Sequence, residues 1–222
     1  MDTLPQAAAS SRSIVPLSRR LWDIDWSKVF PCKLTEDVTV ESVPFEGALP
    51  FIEQHYAQIF GAEENGARFL ASPMTEAKRR FCEESDVFLF RTGTQTVGLL
   101  MGNPIDWSSY YIRSTALLSD YRGRNLGPML VELLSSTLRA AGVERLEADV
   151  SPTNLSSMRG LCLDLGFVVT STSLSERWGG LIHLTRLLSE EASTVFHRQF
   201  CNHPRSTRSR SSPTSNPERR NP

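Results

Sequence analysis

The segment YRGRNLGPML, residues 121–130, places two arginines, two glycines, an asparagine and a proline directly before a leucine-rich stretch. The first turn of a helix has backbone N–H groups without partners and carries about half a positive charge. Arg122 and Arg124 add cationic side chains at this position. Gly123 and Gly127 have no Cβ, so an anion can approach their amides closely, and both residues accept a positive φ. The pattern therefore predicts a strand-to-helix loop that binds a phosphate group.

Two further residues of this loop suit the same role. Asn125 is of a type that adopts left-handed backbone geometry more readily than most residues. Pro128 lacks an N–H group that the first helical turn would leave unpaired in any case. Neither the P-loop pattern GxxxxGK[ST] nor the dinucleotide pattern GxGxxG occurs in the segment. An ordinary helix N-terminus with surface arginines is the alternative interpretation.

The apolar pattern around the loop predicts a series of strands. They lie in DVTVESVP, in the hairpin formed by DVFLF and TVGLLMG, in Tyr110–Leu118, in VERLEADV, and in a final hairpin of FVVTSTSLS and GLIHLTRLL. The segments between these strands predict helices. The element order predicts an α/β or α+β fold in which one strand–helix–strand crossover lies at the centre.

The predicted helices have recognisable starts and stops. FEGALPFIEQHYAQIF is a helical stretch interrupted by Pro50, and TEAKRRFCEES is a short helix with Thr75 as its N-cap. The leucine-striped helix after the loop stops at Gly142. A last helix begins at Asn154 and ends at Gly166, a glycine that accepts the left-handed C-terminal position.

Composition and charge exclude several classes of protein. A net charge of −1 argues against a general nucleic-acid binder, and the sequence has neither a signal-peptide pattern nor an apolar run near the roughly 18 residues of a membrane span. The four cysteines, which are widely spaced, fit reduced thiols better than disulfides or a zinc site; they are Cys32, Cys82, Cys162 and Cys201. We therefore expect a cytoplasmic protein that binds neither nucleic acid nor membranes.

The sequence resembles the GNAT (N-acetyltransferase) superfamily of acyltransferases. The segment YRGRNLG is similar to the family's pyrophosphate loop, whose pattern is Arg or Gln, two residues, Gly, one residue, and then Gly or Ala. Arg122 and Gly127 match the ends of this pattern, and Asn125 stands at its middle glycine. LEADVSPTNLSSMRGLCLDLGF resembles the family's strand–Asn–helix–LGF segment. The resemblance covers residues 37–188 in element order and is specific over residues 114–167.

The resemblance implies a mixed, mostly antiparallel sheet with helices on both faces. Composition, together with the extent of the resemblance, divides the chain into four segments. These segments are a partly ordered N-terminal flap (1–36), the acyltransferase domain (37–188), a short C-terminal segment (189–202), and a tail rich in Arg, Ser and Pro (203–222) that we expect to be disordered. Trp22, Ile24, Trp26, Val29 and Phe30 give the flap enough apolar surface to dock on the core.

The resemblance also implies acetyl-CoA, or another acyl-CoA, as co-substrate, with no metal. The loop residues that would hold the pyrophosphate are Arg122, Gly123, Arg124, Asn125, Leu126, Gly127 and Pro128. The backbone groups of Ala116 and Leu117 would pair with the pantetheine arm, and the N–H of Leu117 would polarise the acyl carbonyl. Asn154 matches an asparagine that contacts the cofactor in the family; a plain N-cap is the alternative.

A group near the thioester must take a proton from the acceptor, because only a neutral amine attacks. Asp149 lies five residues before Asn154, where members of the family often carry a glutamate that acts through water, and it is the expected base. Glu147, on the same strand face, is a second candidate. An edge carboxylate in solvent is the alternative role for Asp149.

The departing CoA thiolate needs little help from an acid, because a thiol has a pKa of roughly 8.5. Many family members place a tyrosine in the second helix, but the matching position here falls on Leu161 or Cys162. Cys162 could act chemically, as an acid or as a nucleophile. The alternative is that it is a small buried hydrophobic residue. Tyr110 and Tyr111 are either acids or packed aromatic residues. We expect no single indispensable acid.

Two other polar residues lie within predicted strands. Arg113 could bind a carboxylate or phosphate of the acceptor, or could face solvent or an internal partner. His183 is interpreted as a packed sheet residue outside the site. The predicted function is an N-acetyltransferase that transfers an acyl group, with acetyl the first choice, to an amine of a small molecule or protein. A non-catalytic domain that binds acyl-CoA or a partner is the alternative.

Overall fold

The computed structural model of this 222-residue chain describes residues 17–56, 59, 74–175 and 178–201. The chain divides into two compact units between Ser189 and Glu190. The predictions for the tail, for most of the loose N-terminus and for part of the last hairpin turn concern residues outside the described ranges. No helix in the described ranges is long and apolar enough to cross a membrane.

Eight strands of the described residues form one sheet. They are β1 (Cys32–Lys33), β2 (Thr39–Val43), β3 (Asp86–Thr92), β4 (Gln95–Pro104), β5 (Ser109–Leu117), β6 (Arg145–Val150), β7 (Val168–Ser175) and β8 (Gly179–Leu187). Their order is β1-β2-β3-β4-β5-β6-β8-β7. Neighbouring strands are antiparallel except β5 and β6, which are parallel. The mixed, mostly antiparallel sheet is confirmed; the two-residue strand β1 was not predicted.

In the residues described, the first unit contains five helices. They are α1 (Leu17–Trp22), α2 (Phe45–Phe51), α3 (Glu76–Glu83), α4 (Leu126–Ala140) and α5 (Leu155–Arg159). Thr75 caps α3 by accepting the N–H of Lys78. Gly142 and Gly166 have φ values of +94° and +70°, as their predicted positions after helices require. The prediction that Pro50 interrupts α2 is wrong, because the helix continues through it into a π-helical turn, Ile52–Tyr56.

The core lies on both faces of the sheet because the strands alternate between two apolar clusters. Phe88 and Phe90 of β3 contact one cluster, which includes the leucine stripe of α4. Val87 and Leu89 of the same strand contact the other cluster, which includes α2 and α3. The central crossover β5–α4–β6 therefore covers one face, and the two earlier helices cover the opposite face.

The N-terminal segment packs on the α4 side of the sheet. Ile24, Trp26 and Phe30 are buried in the cluster that α4 contacts, so the apolar residues of LWDIDWSKVF dock on the core as expected. Trp26 and Phe30 both pack against Phe88, with ring centroids 5.1 and 4.9 Å away. This segment belongs to the first compact unit.

The second compact unit, in the residues described, contains helix α6 (Glu190–Phe196) and a π-helical turn, His197–Cys201. Phe196 contacts Phe200 within the unit, with ring centroids 5.1 Å apart. None of the predicted site residues lies in this unit.

Candidate active site

The loop between β5 and α4 has the backbone conformation that the sequence predicts at two positions. Gly123 has φ = +71° and Asn125 has φ = +60°, so the asparagine adopts the left-handed geometry of the glycine that it replaces. Gly127, which also accepts a positive φ, lies inside α4 and does not adopt one. A Cβ at Gly127 would lie 3.6 Å from the Thr115 side chain, an ordinary contact.

The amides of this loop are available to an anion. Tyr121 and Arg122 donate their N–H groups to Leu118 and Ser119, but no acceptor is found for the N–H groups of the next three residues within the described parts of the chain. The first bond along the helix runs from the N–H of Met129 to the carbonyl of Asn125. Several exposed donors therefore converge at the positive end of α4.

Both loop arginines are held by protein partners. The Nε of Arg122 donates to the Leu117 carbonyl at 3.0 Å. Arg124 donates to both carboxylate oxygens of Asp37, at 2.6 and 2.8 Å, and lies over the Tyr121 ring at 5.3 Å. The hydrogen bond from Arg124 lowers the pKa of Asp37 to about 2, so this carboxylate is charged at neutral pH. An incoming diphosphate would compete with these contacts for the guanidinium groups.

Strands β5 and β6 pair over only part of their length. The four parallel pairs begin at Ser109↔Arg145 and end at Ile112↔Ala148. Strand β5 continues to Leu117, and β6 continues to Val150, with no pairing between them in the described residues. The two strands therefore leave an opening directly before the loop.

The backbone of Leu117 faces this opening. The N–H of Leu118 donates to the carbonyl of Val97 on β4, at 2.9 Å. Because successive residues of a strand direct their backbone groups to opposite sides, the N–H and C=O of Leu117 point away from β4, toward the opening. Gly98 allows this arrangement, because a Cβ there would lie 2.4 Å from the Leu117 side chain and 2.6 Å from the Ala116 carbonyl oxygen.

Helix α5 lies beside the beginning of α4. Asn154 caps α5 through Oδ1, which accepts the N–H of Ser157 at 3.1 Å, so its N-cap role is present. The helix continues into a π-helical turn, Gly160–Asp164, where a Cβ on Gly160 would lie 3.4 Å from Pro128. Cys162 is part of this turn and packs partly buried against the core. Burial raises the pKa of its thiol, which disfavours a thiolate nucleophile.

Four side chains from three strands meet on the sheet face opposite α4. The carboxylate of Asp149 accepts the Tyr111 hydroxyl at 2.9 Å through Oδ2, and its Oδ1 lies 2.8 Å from Nδ1 of His183. The other ring nitrogen, Nε2, lies 3.2 Å from Glu147 Oε2. We refer to Tyr111, Glu147, Asp149 and His183 as the polar cluster.

The polar cluster lies at the end of the paired part of β5 and β6. Glu147 pairs with Tyr111 across these strands, whereas Asp149 is the first residue of β6 beyond the last pair. The cluster is partly accessible, with side chains 13% exposed for Glu147, 25% for His183 and 27% for Asp149. Burial, followed by the hydrogen bond to Asp149, raises the pKa of Tyr111 above its ordinary value, so this hydroxyl keeps its proton.

The remaining candidates have structural partners. A bulge opposite Met101 and Gly102 leaves Arg113 without a strand partner. The guanidinium carbon of Arg113 lies 4.6 Å from the centre of the Phe81 ring, which corresponds to the internal partner considered for it. Tyr110 is fully buried and donates to Asp86 at 2.9 Å, so it is a packed aromatic residue.

The interpretation of His183 as a packed residue outside the site did not foresee its contacts with both candidate carboxylates. The signal was present in the alternation of LIHLT, in which Ile182 and Leu184 face the core. His183 must then face the opposite side, and its antiparallel register places it beside Asp149. The sequence alone did not reveal that β8, and not β7, is the neighbour of β6.

Two other features of the described residues concern metal ligands and disulfide bonds. They contain no group of three or more His, Cys, Asp or Glu side chains suited to a metal ion. Cys32, Cys82 and Cys162 are free thiols.

These features agree with the family relationship of the chain. The sequence model of the acetyltransferase (GNAT) family matches residues 49–167, more than half of the chain. The protein therefore belongs to the GNAT acetyltransferase family. The matched part contains the loop, the open ends of β5 and β6, Asp149 and helix α5, but it ends before β8 and His183.

Solved structures of similar fold include several acetyltransferases. YncA from Salmonella typhimurium with its cofactor acetyl-CoA has a TM-score of 0.56 and 17% identity over 70% of this chain and 96% of its own. The ribosomal-protein-S5-alanine acetyltransferase from Vibrio fischeri has a TM-score of 0.53 and 14% identity over 70% and 96%. The ribosomal-protein-S18-alanine N-acetyltransferase from Escherichia coli has a TM-score of 0.52 and 19% identity over 68% and 94%.

At these identities the likeness establishes the fold alone. The mixed sheet of this chain is that of a GNAT fold. No curated protein matches this sequence.

Proposed function

We propose that this protein is an N-acetyltransferase that transfers the acetyl group of acetyl-CoA to an amine by direct attack. The observation that carries the proposal is the opening between β5 and β6, which has unpaired loop amides at one end and the polar cluster beside it. An acyltransferase of this kind needs an anion site, a donor for the thioester carbonyl and a proton acceptor. The loop amides, the Leu117 N–H and Asp149 would supply these three features around the opening.

The donor would lie across the opening with its diphosphate on the loop. The N–H groups of Gly123, Arg124 and Asn125, together with the first turn of α4, would hold the diphosphate. Arg122 and Arg124 would add charge by exchanging their protein partners for phosphate oxygens. The pantetheine arm would pair with β5 near Ala116, and the Leu117 N–H would stabilise the oxyanion. Asn154, at the start of α5, would contact the cofactor, as the family resemblance implies.

The acceptor would reach the thioester near the polar cluster. Two carboxylates there, Glu147 and Asp149, favour an acceptor that arrives as a cation, such as an alkylammonium ion. Asp149 lies at the opening, directly beyond the last paired residue of β6. We propose that it takes part in removing the proton from the acceptor ammonium. The amine then attacks the carbonyl carbon, and CoA leaves as a thiolate. The acceptor class includes small-molecule amines and protein amines.

Thiol release from acetyl-CoA tests this proposal. The purified chain would be incubated with acetyl-CoA and a panel of peptide, polyamine, aminosugar and arylalkylamine acceptors, and free CoA would be measured with a thiol reagent. Amine-dependent release together with an acetylated product supports the proposal. Binding of acetyl-CoA without amine-dependent release, across the panel, would refute it.

We further propose a cytoplasmic location, which the free thiols favour.

A non-catalytic acyl-CoA-binding domain is the second candidate function. The contacts of Arg122 with the Leu117 carbonyl and of Arg124 with Asp37 favour it, because both must change before the arginines bind a diphosphate. Such a domain would bind acetyl-CoA and retain it intact. The same thiol assay separates the two candidates, since only the enzyme releases CoA in proportion to the acceptor.

A further inference from the structure

His183 is held between two carboxylates in a way that suits a proton acceptor. Its Nδ1 lies 2.8 Å from Asp149 Oδ1, and its Nε2 lies 3.2 Å from Glu147 Oε2. An ionised carboxylate only accepts hydrogen bonds, so the shorter contact requires a proton on Nδ1, whereas the contact with Glu147 is a hydrogen bond only when Nε2 is protonated as well. In the neutral ring, Nε2 then carries the lone pair, and this is the nitrogen that can take a proton.

Asp149 is arranged differently. Both of its oxygens already have hydrogen-bond partners, because Oδ2 accepts the Tyr111 hydroxyl and Oδ1 accepts His183. The raised pKa of Tyr111 keeps that hydroxyl protonated, so the bond persists at neutral pH. A carboxylate whose two oxygens both have hydrogen-bond partners is suited to orienting the imidazole ring and fixing its tautomer.

Glu147 completes the arrangement. When Nε2 takes a proton, the ring becomes an imidazolium ion that donates from both nitrogens, and Glu147 Oε2 is at hand to accept the second bond. The side chain of Glu147 is 13% exposed and is thus more buried than the side chains of His183 and Asp149.

The other charged groups near this cluster are two arginines. Arg145 Nε lies 3.9 Å from Glu147 Oε1, and the guanidinium group of Arg145 also contacts Ser108 and Asp106. Arg113 lies on β5, where it stacks on Phe81. Neither arginine contacts the ring of His183, so the two carboxylates are its charged partners in the described residues.

We infer that His183 is the catalytic base of this protein, that Asp149 is its positioning residue, and that Glu147 stabilises the protonated ring. The inference deepens the proposed acetyl transfer and rests on it. The lone pair on Nε2 takes one proton from the acceptor ammonium, directly or through one water. The freed amine pair forms the N–C bond, the C–S bond breaks with its electron pair on sulfur, and the sulfur takes the second nitrogen proton. The imidazolium then returns its proton to water.

His183→Asn is the decisive variant. Asparagine keeps an N–H donor for Asp149 Oδ1 but has no group that takes a proton, so it separates a base from a residue that only holds Asp149. The rate constant kcat for acetyl transfer at neutral pH should fall by about 10²–10⁴-fold, with KM for acetyl-CoA unchanged. His183→Gln provides a second variant, and thermal unfolding checks that both are folded. His197→Asn, in the second compact unit, is the matched control and should retain wild-type kcat.

The pH profile gives a readout that a structural role would not move. An alkylamine is deprotonated in solution only near about pH 10, so a variant without a base should recover activity as the pH rises toward that value. The ratio of wild-type to His183→Asn kcat should therefore shrink about tenfold per pH unit at alkaline pH. A ratio that stays constant with pH would overturn the inference.

The tautomer can be measured without any acceptor. In ¹⁵N-histidine-labelled protein, the neutral ring of His183 should be protonated at Nδ1, and Asp149→Asn should remove this preference. An Nε2-protonated neutral ring overturns the inference, as does a His183→Asn variant with wild-type kcat. Absence of thiol release from the wild-type protein overturns the proposed function as well, so the two failures are distinguishable.

Discussion

Replacing Asp86 by asparagine should remove a pH-dependent part of the free energy of unfolding. Asp86 begins β3, and its side chain is fully enclosed beneath the N-terminal segment. The hydroxyls of Ser18 and Tyr110 both donate to its Oδ2, while Oδ1 has no hydrogen-bond partner in the residues described. The carboxyl group thus links α1, β3 and β5 inside the core.

Burial raises the pKa of Asp86 from 3.8 to about 6, although the hydrogen bonds from Ser18 and Tyr110 oppose this change. Between about pH 4 and about pH 6 the folded protein therefore holds a proton that the unfolded chain has lost. Because the folded state binds more protons, its stability falls as the pH rises through this window. At ~1.4 kcal/mol per pKa unit, the loss is about 3 kcal/mol and is complete above about pH 6.

The assay is denaturant unfolding of wild type and Asp86→Asn, followed by tryptophan fluorescence, from about pH 4 to about pH 8. The asparagine carbonyl can still accept from Ser18 and Tyr110, but it does not ionise. The wild-type minus variant free energy should fall by about 3 kcal/mol across the acidic window and stay level above it. A difference that is constant from acid to neutral pH, or that rises, would refute the reasoning.

Asp106→Asn provides a control of opposite sign. The backbone N–H of Ser108 is the main cause that lowers the pKa of Asp106, which lies on the exposed turn between β4 and β5. Its contribution to stability is present above the unfolded pKa and is lost as the pH falls. The corresponding difference curve should therefore rise with pH in the acidic range.

Three further predictions concern the donor site. Asp37→Asn should tighten acetyl-CoA binding measured by calorimetry, because it releases Arg124 for the diphosphate; weaker or unchanged binding would contradict this. Gly98→Ala should weaken acetyl-CoA binding and lower the free energy of unfolding by about 1–3 kcal/mol, because its Cβ would meet β5 backbone at 2.6 Å. Gly180→Ala, with nothing within 4 Å, is its control and should leave both quantities unchanged. Cys162→Ala should retain thiol release; a folded variant without turnover would restore the thiol as a candidate acid or nucleophile.

Local signals in the sequence were sufficient for most of the elements and for the loop. Thr75, Gly142 and Gly166 mark helix ends through capping and backbone preferences that depend on neighbouring residues only. Asn125 likewise takes the left-handed geometry that its residue type allows. The continuous apolar run DVFLF of β3, whose side chains pack on both sides of the sheet, was also predicted as a strand from local sequence.

Contacts between distant residues were beyond the reach of those signals. Arg124 and Asp37 are 87 positions apart, and a surface pair of this kind leaves no pattern in a single sequence. The bulge at Arg113 is likewise a property of the pairing between β4 and β5, and the sequence of one strand does not show it. His183 depended on the order of the last two strands, which are exchanged relative to the chain, so its partners on β6 appeared only in three dimensions.

Among the described residues, four residue pairs join the five strands on one side of the sheet to the three on the other. A strand-like ligand in the remaining gap would form hydrogen bonds with backbone groups that β5 and β6 do not pair with each other. It would thereby connect the two parts of the sheet. Ligand occupancy and resistance to unfolding are then thermodynamically linked, because a molecule that binds only the folded state stabilises it. In a cell rich in such a ligand, the abundance of the folded protein would follow the supply of that ligand.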